Sequence, residues 1–472
     1  MDPNYSLILV GTGFASTFFL REALRHAKPS DRILVLERGD DVPYDWKVSH
    51  RRNSPVRFDD LFHNRTPDKP WIQNIAFGGG SCWTGNSPRL HPSDFRTATL
   101  HGVGVDWPID YETLEPFLCE AEDAMGIAGA ANPNYPRSRP YGSPAHALNA
   151  FDRLMQARHG DLYTAMPSAR ASQAHAGRPS CCNNGVCSVC PIGAKFQIDL
   201  HMREPYQDPR VSLLTGAEVL QVDIEGHRAR GVLYRRDGRE QRASGDIVAV
   251  GAHAVMTPYL LLRSGLTDAA LGRYLNEQRN IAVRINLRGV KNFDGGQRVT
   301  GLGLMFVNNA DRGRVPGCLI EGYNVPWLRA ETGRWREVAH VQFALEDITS
   351  ADNRVTVGPD GRPEVTYLGQ SDYLVRGLAA IESRLEKMLE GLPVEDYLIE
   401  SDVNAPGGAA HIQGTARMGR DPATSVVDDG LVHHRVRNLL ALGSGVFPTC
   451  PAANPTLPLS ALSIRAARKL WS

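Results

Sequence analysis

The segment Ser6-Leu7-Ile8-Leu9-Val10 is apolar and runs directly into Gly11-Thr12-Gly13-Phe14-Ala15-Ser16. Behind it, Phe18, Phe19, Leu20, Ala23 and Leu24 recur at helical spacing. A strand, a glycine turn and a helix in that order commit the chain to a dinucleotide-binding βαβ beginning. Gly11 permits the tight turn, and Gly13 lets the backbone approach a pyrophosphate at the helix N-terminus, where unpaired N–H groups face the anion. Ser16 stands where the third glycine of the pattern would be and is still small enough for close helix–strand packing. A second apolar run, Ile33 to Leu36, ends in Glu37. That acid lies about 20 residues beyond the turn, where it can bond ribose hydroxyls. Phe14, Ala15 and Arg38 are further candidate cofactor contacts. The pattern alone does not separate FAD from NAD. The loop Phe77-Gly78-Gly79-Gly80-Ser81-Cys82-Trp83-Thr84-Gly85-Asn86 is suited to lining a flat ring system and its phosphate tail, which makes Gly78, Gly79, Ser81 and Asn86 candidate contacts.

With 472 residues the chain is too long for one simple core, and two or three intertwined domains are expected. Lys+Arg and Asp+Glu both number 52, with no basic patch, which argues against a nucleic-acid partner. No run approaches the ~20 apolar residues needed to span a bilayer. The N-terminus enters its strand without a basic leader, so a cytoplasmic protein is the default expectation, with export alongside a partner subunit left open.

Cys181, Cys182, Cys187 and Cys190 place four of the eight cysteines within ten residues. Three readings compete: an iron–sulfur cluster held by closely spaced thiolates, a structural zinc ion, and plain thiols or disulfides. Zinc is disfavoured because adjacent Cys181 and Cys182 make awkward tetrahedral geometry. The stretch Gly129 to Gly177, rich in Ala, Pro, Ser and Arg, reads as a long surface excursion leading to these cysteines. Residues Val219 to Ile224, Ala229 to Tyr234 and Asp246 to Val250 read as strands, with a turn at Arg236-Asp237-Gly238. Leu378, Ile381, Leu385, Met388 and Leu389 mark an amphipathic helix between Tyr373 and Leu392.

Beyond the glycine loop come Arg89, Pro92, Asp94-Phe95 and Asp106-Trp107-Pro108-Ile109-Asp110-Tyr111-Glu112-Thr113-Leu114-Glu115-Pro116. Near the C-terminus stand His411-Ile412-Gln413-Gly414-Thr415-Ala416-Arg417-Met418-Gly419, Gly443-Ser444-Gly445 and Ala453-Asn454-Pro455-Thr456. Together these segments resemble the glucose–methanol–choline (GMC) oxidoreductases, most closely the bacterial FAD-dependent sugar and gluconate dehydrogenase catalytic subunits. The resemblance implies FAD and an α/β fold: a discontinuous Rossmann-like domain with an α+β substrate domain on an antiparallel sheet. The expected division gives the FAD domain 1–130, 205–270 and 405–472, with the cysteine-bearing excursion at 131–204 and the substrate domain at 271–404.

By the same resemblance His411 is the catalytic base and Asn454 its partner. An imidazole with a pKa near 6.5 can take a hydroxyl proton at neutral pH as hydride leaves the carbon, while an amide orients the hydroxyl without competing for that proton. Val219 is implied near the adenine half of FAD, with Ser444, Gly445, Pro455 and Thr456 also at the cofactor. Cys82 occupies a place where some pyranose-oxidising relatives carry a flavin-bonded histidine, and it is expected to be a buried thiol. Members of the dehydrogenase branch hold a three-iron cluster with a cysteine run like this one. The expected activity is therefore dehydrogenation of a sugar or sugar-like polyol. Electrons would leave through the cysteines to a cytochrome or quinone, with a small companion subunit. A peroxide-forming oxidase and a non-redox lyase are the alternatives.

Overall fold

The computed structural model describes residues 4–80 and 82–471; Ser81 therefore lies outside the described residues. The first sheet contains β1 (Asn4–Val10), β2 (Ile33–Leu36), β3 (Val211–Leu214), β4 (Glu218–Glu225), β5 (Arg228–Arg236) and β6 (Arg239–Val250) in the order β3-β2-β1-β6-β5-β4, with Leu439–Ala441 also beside β6. β1, β2, β3 and Leu439–Ala441 run parallel with the end of β6. Ile8, Leu9, Leu34 and Val35 are buried, as expected of parallel strands covered on both faces. β6 changes partner at Ser244: its first half pairs antiparallel with β5, and its second half pairs parallel with β1. The β5–β6 turn consists of Asp237 and Gly238, both at positive φ, as a two-residue hairpin of primed type requires.

Helix α1 (Phe14–His26) buries Phe18, Phe19 and Ala23, and the C-terminal helix Thr456–Trp471 packs against it with Leu457, Ala461 and Ile464 buried. Both ends of the chain thus build the same layer.

The second sheet is antiparallel. It contains β7 (Arg279–Leu287), β8 (Val299–Phe306), β9 (Cys318–Tyr323), β10 (Val338–Leu345) and β11 (Val394–Ile399) in the order β11-β7-β10-β9-β8, with Tyr163–Ala165 at the far edge. Ile281, Val283, Ile285 and Leu287 alternate inward along β7 and share a core with Ile320, Phe343, Leu374, Leu385 and Met388. Leu302, Leu304 and Leu319 join the core of the first sheet instead, so the second sheet is wedged between the two cores.

Two expectations need correction. The single helix expected between Tyr373 and Leu392 is two, Asp372–Ala379 and Ile381–Leu389, which break at Ala380 while keeping their apolar stripe on the sheet. The stretch assigned to a surface excursion is partly core. Helix Ala150–His159 buries Phe151 and Met155, and Tyr163–Ala165 pairs with β8. Its Ala- and Arg-rich composition hid a short helix whose apolar payload is only a few residues. Among the described residues no helix is long and apolar enough to cross a membrane.

Arg312 ties the loop after β8 to the first domain. Its guanidinium is 1 % exposed, pairs with Glu346 and Asp94, and donates to Ser93 Oγ at 2.7 Å. Arg312→Met would leave two carboxylates buried without their cation, and should cost roughly 3–5 kcal/mol of stability. The exposed pair Arg153–Asp294 should matter far less, with Arg153→Ala costing no more than about 1 kcal/mol. Thermal and denaturant unfolding of the two variants would check the contrast.

Candidate active site

The parallel strands of the first sheet end together, and the ladder continues one residue past them. Gly11 N–H donates to Leu36 O, Gly251 N–H to Val10 O and Leu442 N–H to Val250 O, at 2.8–2.9 Å. These bonds pin three turns along one edge, and between the turns lies a cavity.

Gly11, Gly13, Phe14 and Ala15 line it from the first turn, Glu37 and Arg38 from the end of β2, and Val219 from β4. Gly78 and Gly79 enter from the glycine loop, and Ser444, Pro455 and Thr456 from the C-terminal segments. Gly11 has φ +95°, and a Cβ there would sit 2.5 Å from Gly251 O, so only glycine fits. A Cβ on Gly13, the N-cap of α1, would meet nothing within 4 Å. That helix start has no side-chain cap and no acid in its first turn, which leaves its N–H groups and dipole to an anion.

Glu37 Oε2 accepts from Thr12 N–H at 2.9 Å and Thr12 Oγ1 at 2.7 Å, and Oε1 accepts from Gly39 N–H at 2.7 Å. It braces the glycine turn as well as lining the cavity, and burial raises its pKa despite these bonds. Trp83 Nε1 and His253 Nε2 are buried cavity-lining atoms without a hydrogen-bond partner, and a group with acceptors would satisfy them. Open helix terminus, glycine turn, strand-end acid and orphaned donors together fit a flavin dinucleotide. Cys82 also lines the cavity; burial pushes its pKa up to about 11, and it is an ordinary thiol. Two expected contacts do not line it. Asn86 turns away to donate to Glu321 Oε1 at 3.4 Å, and Gly445 sits behind Ser444, accepting from Ala416 N–H.

His411 also lines the cavity. Its Nδ1 lies 2.6 Å from Gln278 Oε1, its Nε2 lies 3.1 Å from Asn454 Nδ2, and its backbone N–H donates to Glu277 Oε1 at 3.0 Å. Burial lowers its pKa to about 4, so the ring is neutral at neutral pH. Glu277 is in turn paired with the buried Lys69, which also donates to Gly407 O at 2.9 Å. Beyond Asn454 lies the buried carboxylate of Glu321, whose pKa is raised by burial and which accepts from Tyr323 and Gln342. Sequence reasoning brought His411 and Asn454 together but missed Gln278, Glu277, Lys69, Glu321 and His253. The one trace of them was the polar run Asn276-Glu277-Gln278-Arg279 ahead of an apolar strand.

Cys181, Cys182, Cys187 and Cys190 line a second, smaller cavity together with Arg170, Lys195 and Arg298. All eight cysteines are free thiols. Among the described residues no three His, Cys, Asp or Glu side chains gather to hold a metal ion. The expected ligand set therefore shares one wall without converging on a point, as tetrahedral zinc with bonds of about 2.3 Å would need. Arg170 Nε and Nη2 and Arg298 Nε are buried there without partners. Four thiols thus share this cavity with the side chains of Arg170, Lys195 and Arg298. Lys195 links the linings of the two cavities: its Nζ donates to Trp83 O at 2.6 Å and to Ser188 O at 2.8 Å.

Residues 108–279 and 349–463 match two models of the family described as GMC oxidoreductase. The chain is 25 % identical to the fructose dehydrogenase large subunit of Gluconobacter japonicus, over 98 % of this chain and 96 % of that one. It is 28 % identical to 6'''-hydroxyparomomycin C oxidase of Streptomyces lividus, over 85 % of this chain and 80 % of that one. The fold matches pyridoxine 4-oxidase from Mesorbium loti with a TM-score of 0.67 at 18 % identity, over 99 % of each chain. A chain matched at both its middle and its C-terminal parts belongs to the GMC oxidoreductase family: it is an FAD-dependent oxidoreductase acting on CH–OH groups.

Proposed function

We propose that this enzyme oxidises a hydroxyl of a sugar or sugar-like polyol and passes the electrons to an external acceptor. The observation that carries the reading is the half-buried His411 ring at the cavity wall, with Asn454 Nδ2 3.1 Å from its Nε2. The α1 N-terminus, the Glu37–Arg38 strand end, the glycine loop and Val219 would hold FAD, which supplies a hydride acceptor when bound. His411 receives the hydroxyl proton, and Asn454 orients the hydroxyl through its amide. Because the ring is uncharged at rest, it accepts that proton without first shedding one. Positioned proton transfer of this kind is worth on the order of 10²–10⁴ in rate.

The substrate class rests on the fructose dehydrogenase relative, which covers nearly the whole chain. That relative is a large subunit, which supports a companion subunit here, with a cytochrome or quinone as the terminal acceptor. Cys181, Cys182, Cys187 and Cys190 would hold an iron–sulfur cluster, whose chemistry is one-electron acceptance. The cationic wall of their cavity supports this assignment. The oxidase relative supports the second reading, in which oxygen is the acceptor.

His411→Ala should slow flavin bleaching by substrate on the order of 10²–10⁴-fold with FAD still bound, read by rapid mixing. An unimpaired rate would remove His411 from the chemistry.

For the native enzyme the bleaching rate should stay flat from neutral pH down toward the His411 pKa of about 4 and decline below it, as the imidazolium forms. The depressed pKa also means that the folded state binds fewer protons than the unfolded state between that value and about 6.5. Stability therefore falls as pH drops through this window, which acid titration of the unfolding midpoint would register.

Iron and acid-labile sulfide in anaerobically purified protein, with dye reduction exceeding peroxide yield, is the expected outcome for the cluster-bearing dehydrogenase. Stoichiometric peroxide without iron would assign the oxidase.

A further inference from the structure

Gln278 is buried at 2 % exposure, two residues after a backbone bridge that joins Asn276 to Gln413. Its Nε2 donates to two backbone carbonyls, Pro451 O and Ala453 O, the latter at 2.6 Å. Carbonyl oxygens only accept, so the amide cannot be turned round without setting oxygen against oxygen twice and losing both bonds. With the nitrogen committed in that direction, Oε1 is left facing His411 Nδ1 at 2.6 Å. An amide oxygen carries no proton, so the hydrogen in that bond belongs to the imidazole. The neutral ring therefore holds its proton on Nδ1 and its lone pair on Nε2. Asn454 agrees independently, since its Nδ2 amide group stands 3.1 Å from Nε2, a donor meeting an acceptor.

We propose that Gln278 is a positioning residue that fixes His411 as the Nδ1–H tautomer, so that Nε2 alone takes the substrate proton. This rests on the reading of His411 as the proton acceptor. The two carbonyls that Gln278 grips, Pro451 and Ala453, stand just ahead of Asn454, so one amide both fixes the ring's proton and holds the Asn454 segment beside it. Glu277 beside it holds the His411 backbone, which leaves the ring one orientation. The charged groups around the ring, Glu277 with its partner Lys69 and Glu321 beyond Asn454, are the same in every variant below.

The test uses nitrogen-15 spectra of histidine-labelled, FAD-loaded enzyme at neutral pH, with the His411 signals identified by their loss in His411→Ala. The expected result is a protonated Nδ1 and an unprotonated Nε2. Gln278→Met, similar in size but without the acceptor, should give a mixture of tautomers. It should also slow flavin bleaching by on the order of 10²-fold, with the substrate concentration for half-maximal bleaching little changed. A proton found on Nε2 in the native enzyme would overturn the proposal, even if the variant fails to fold. A variant that keeps both the native tautomer and the native bleaching rate would overturn it as well. Normal bleaching in His411→Ala would instead sink the catalytic reading and leave the tautomer assignment standing.

Discussion

The parallel pairing of β1 with β2 on one side and β6 on the other is the constraint from which the rest of the molecule follows. Parallel strands leave a sheet at the same edge, so their exit turns are forced to be neighbours. Here the ladder runs past the strand ends to Gly11, Gly251 and Leu442, fixing three exit turns against one another before any side chain is considered. The glycine at position 11 is a consequence: Gly251 O occupies the space where a Cβ would go. The unfilled helix start at Gly13, the acid closing β2 and the turn before His253 are then carried to one cavity by the sheet.

The segment leading into the second sheet backs this cavity from the other side. Glu277 and Gln278 immediately precede β7, and the Asn276–Gln413 bridge sets them against the segment that bears His411. Two buried interactions stiffen that junction. Lys69 neutralises Glu277, and Gln278 donates to the Pro451 and Ala453 carbonyls just ahead of Asn454. A buried carboxylate without its cation would be costly. The Lys69 pairing is therefore what allows an acid to stand beside a base that must stay neutral.

What could be read from the sequence was whatever its own neighbours determine. The strand–turn–helix at the N-terminus, the hairpin around Asp237-Gly238 and the apolar stripe between Leu378 and Leu389 depend on local period and turn chemistry, and they appear where expected. The break at Ala380 does not show, because an amphipathic stripe reads the same across one helix or two. Gln278 and Glu321 were invisible for a different reason. A buried amide or carboxylate has meaning only through its partners, and those lie more than a hundred residues away for His411 with Gln278 and for Asn86 with Glu321. Asn86 illustrates the reverse error. Its place just past a glycine loop suggests the cofactor, whereas its bridge to Ser168 turns it toward the substrate sheet.

The two cavities have opposite electrostatic designs. In the larger one, burial keeps His253 and His411 neutral, with pKa values lowered to about 3 and about 4. A proton can be taken up there without a charge already in place to oppose it. In the smaller one, Arg170 and Arg298 stand beside four cysteines with orphaned guanidinium N–H groups, and burial holds Lys195 down to about 7. Gathering cations without carboxylate partners in a buried space is unfavourable unless a negative group belongs there. Lys195 joins the two designs, since the same ammonium that faces the cysteines is bonded to the backbone of Trp83 on the cavity wall. Its proton affinity, already lowered by burial and by Arg170, would rise with negative charge among the thiols, because Cys187 and Cys190 are among the groups that raise it. The charge state of the smaller cavity is thereby coupled through one side chain to the loop that lines the larger.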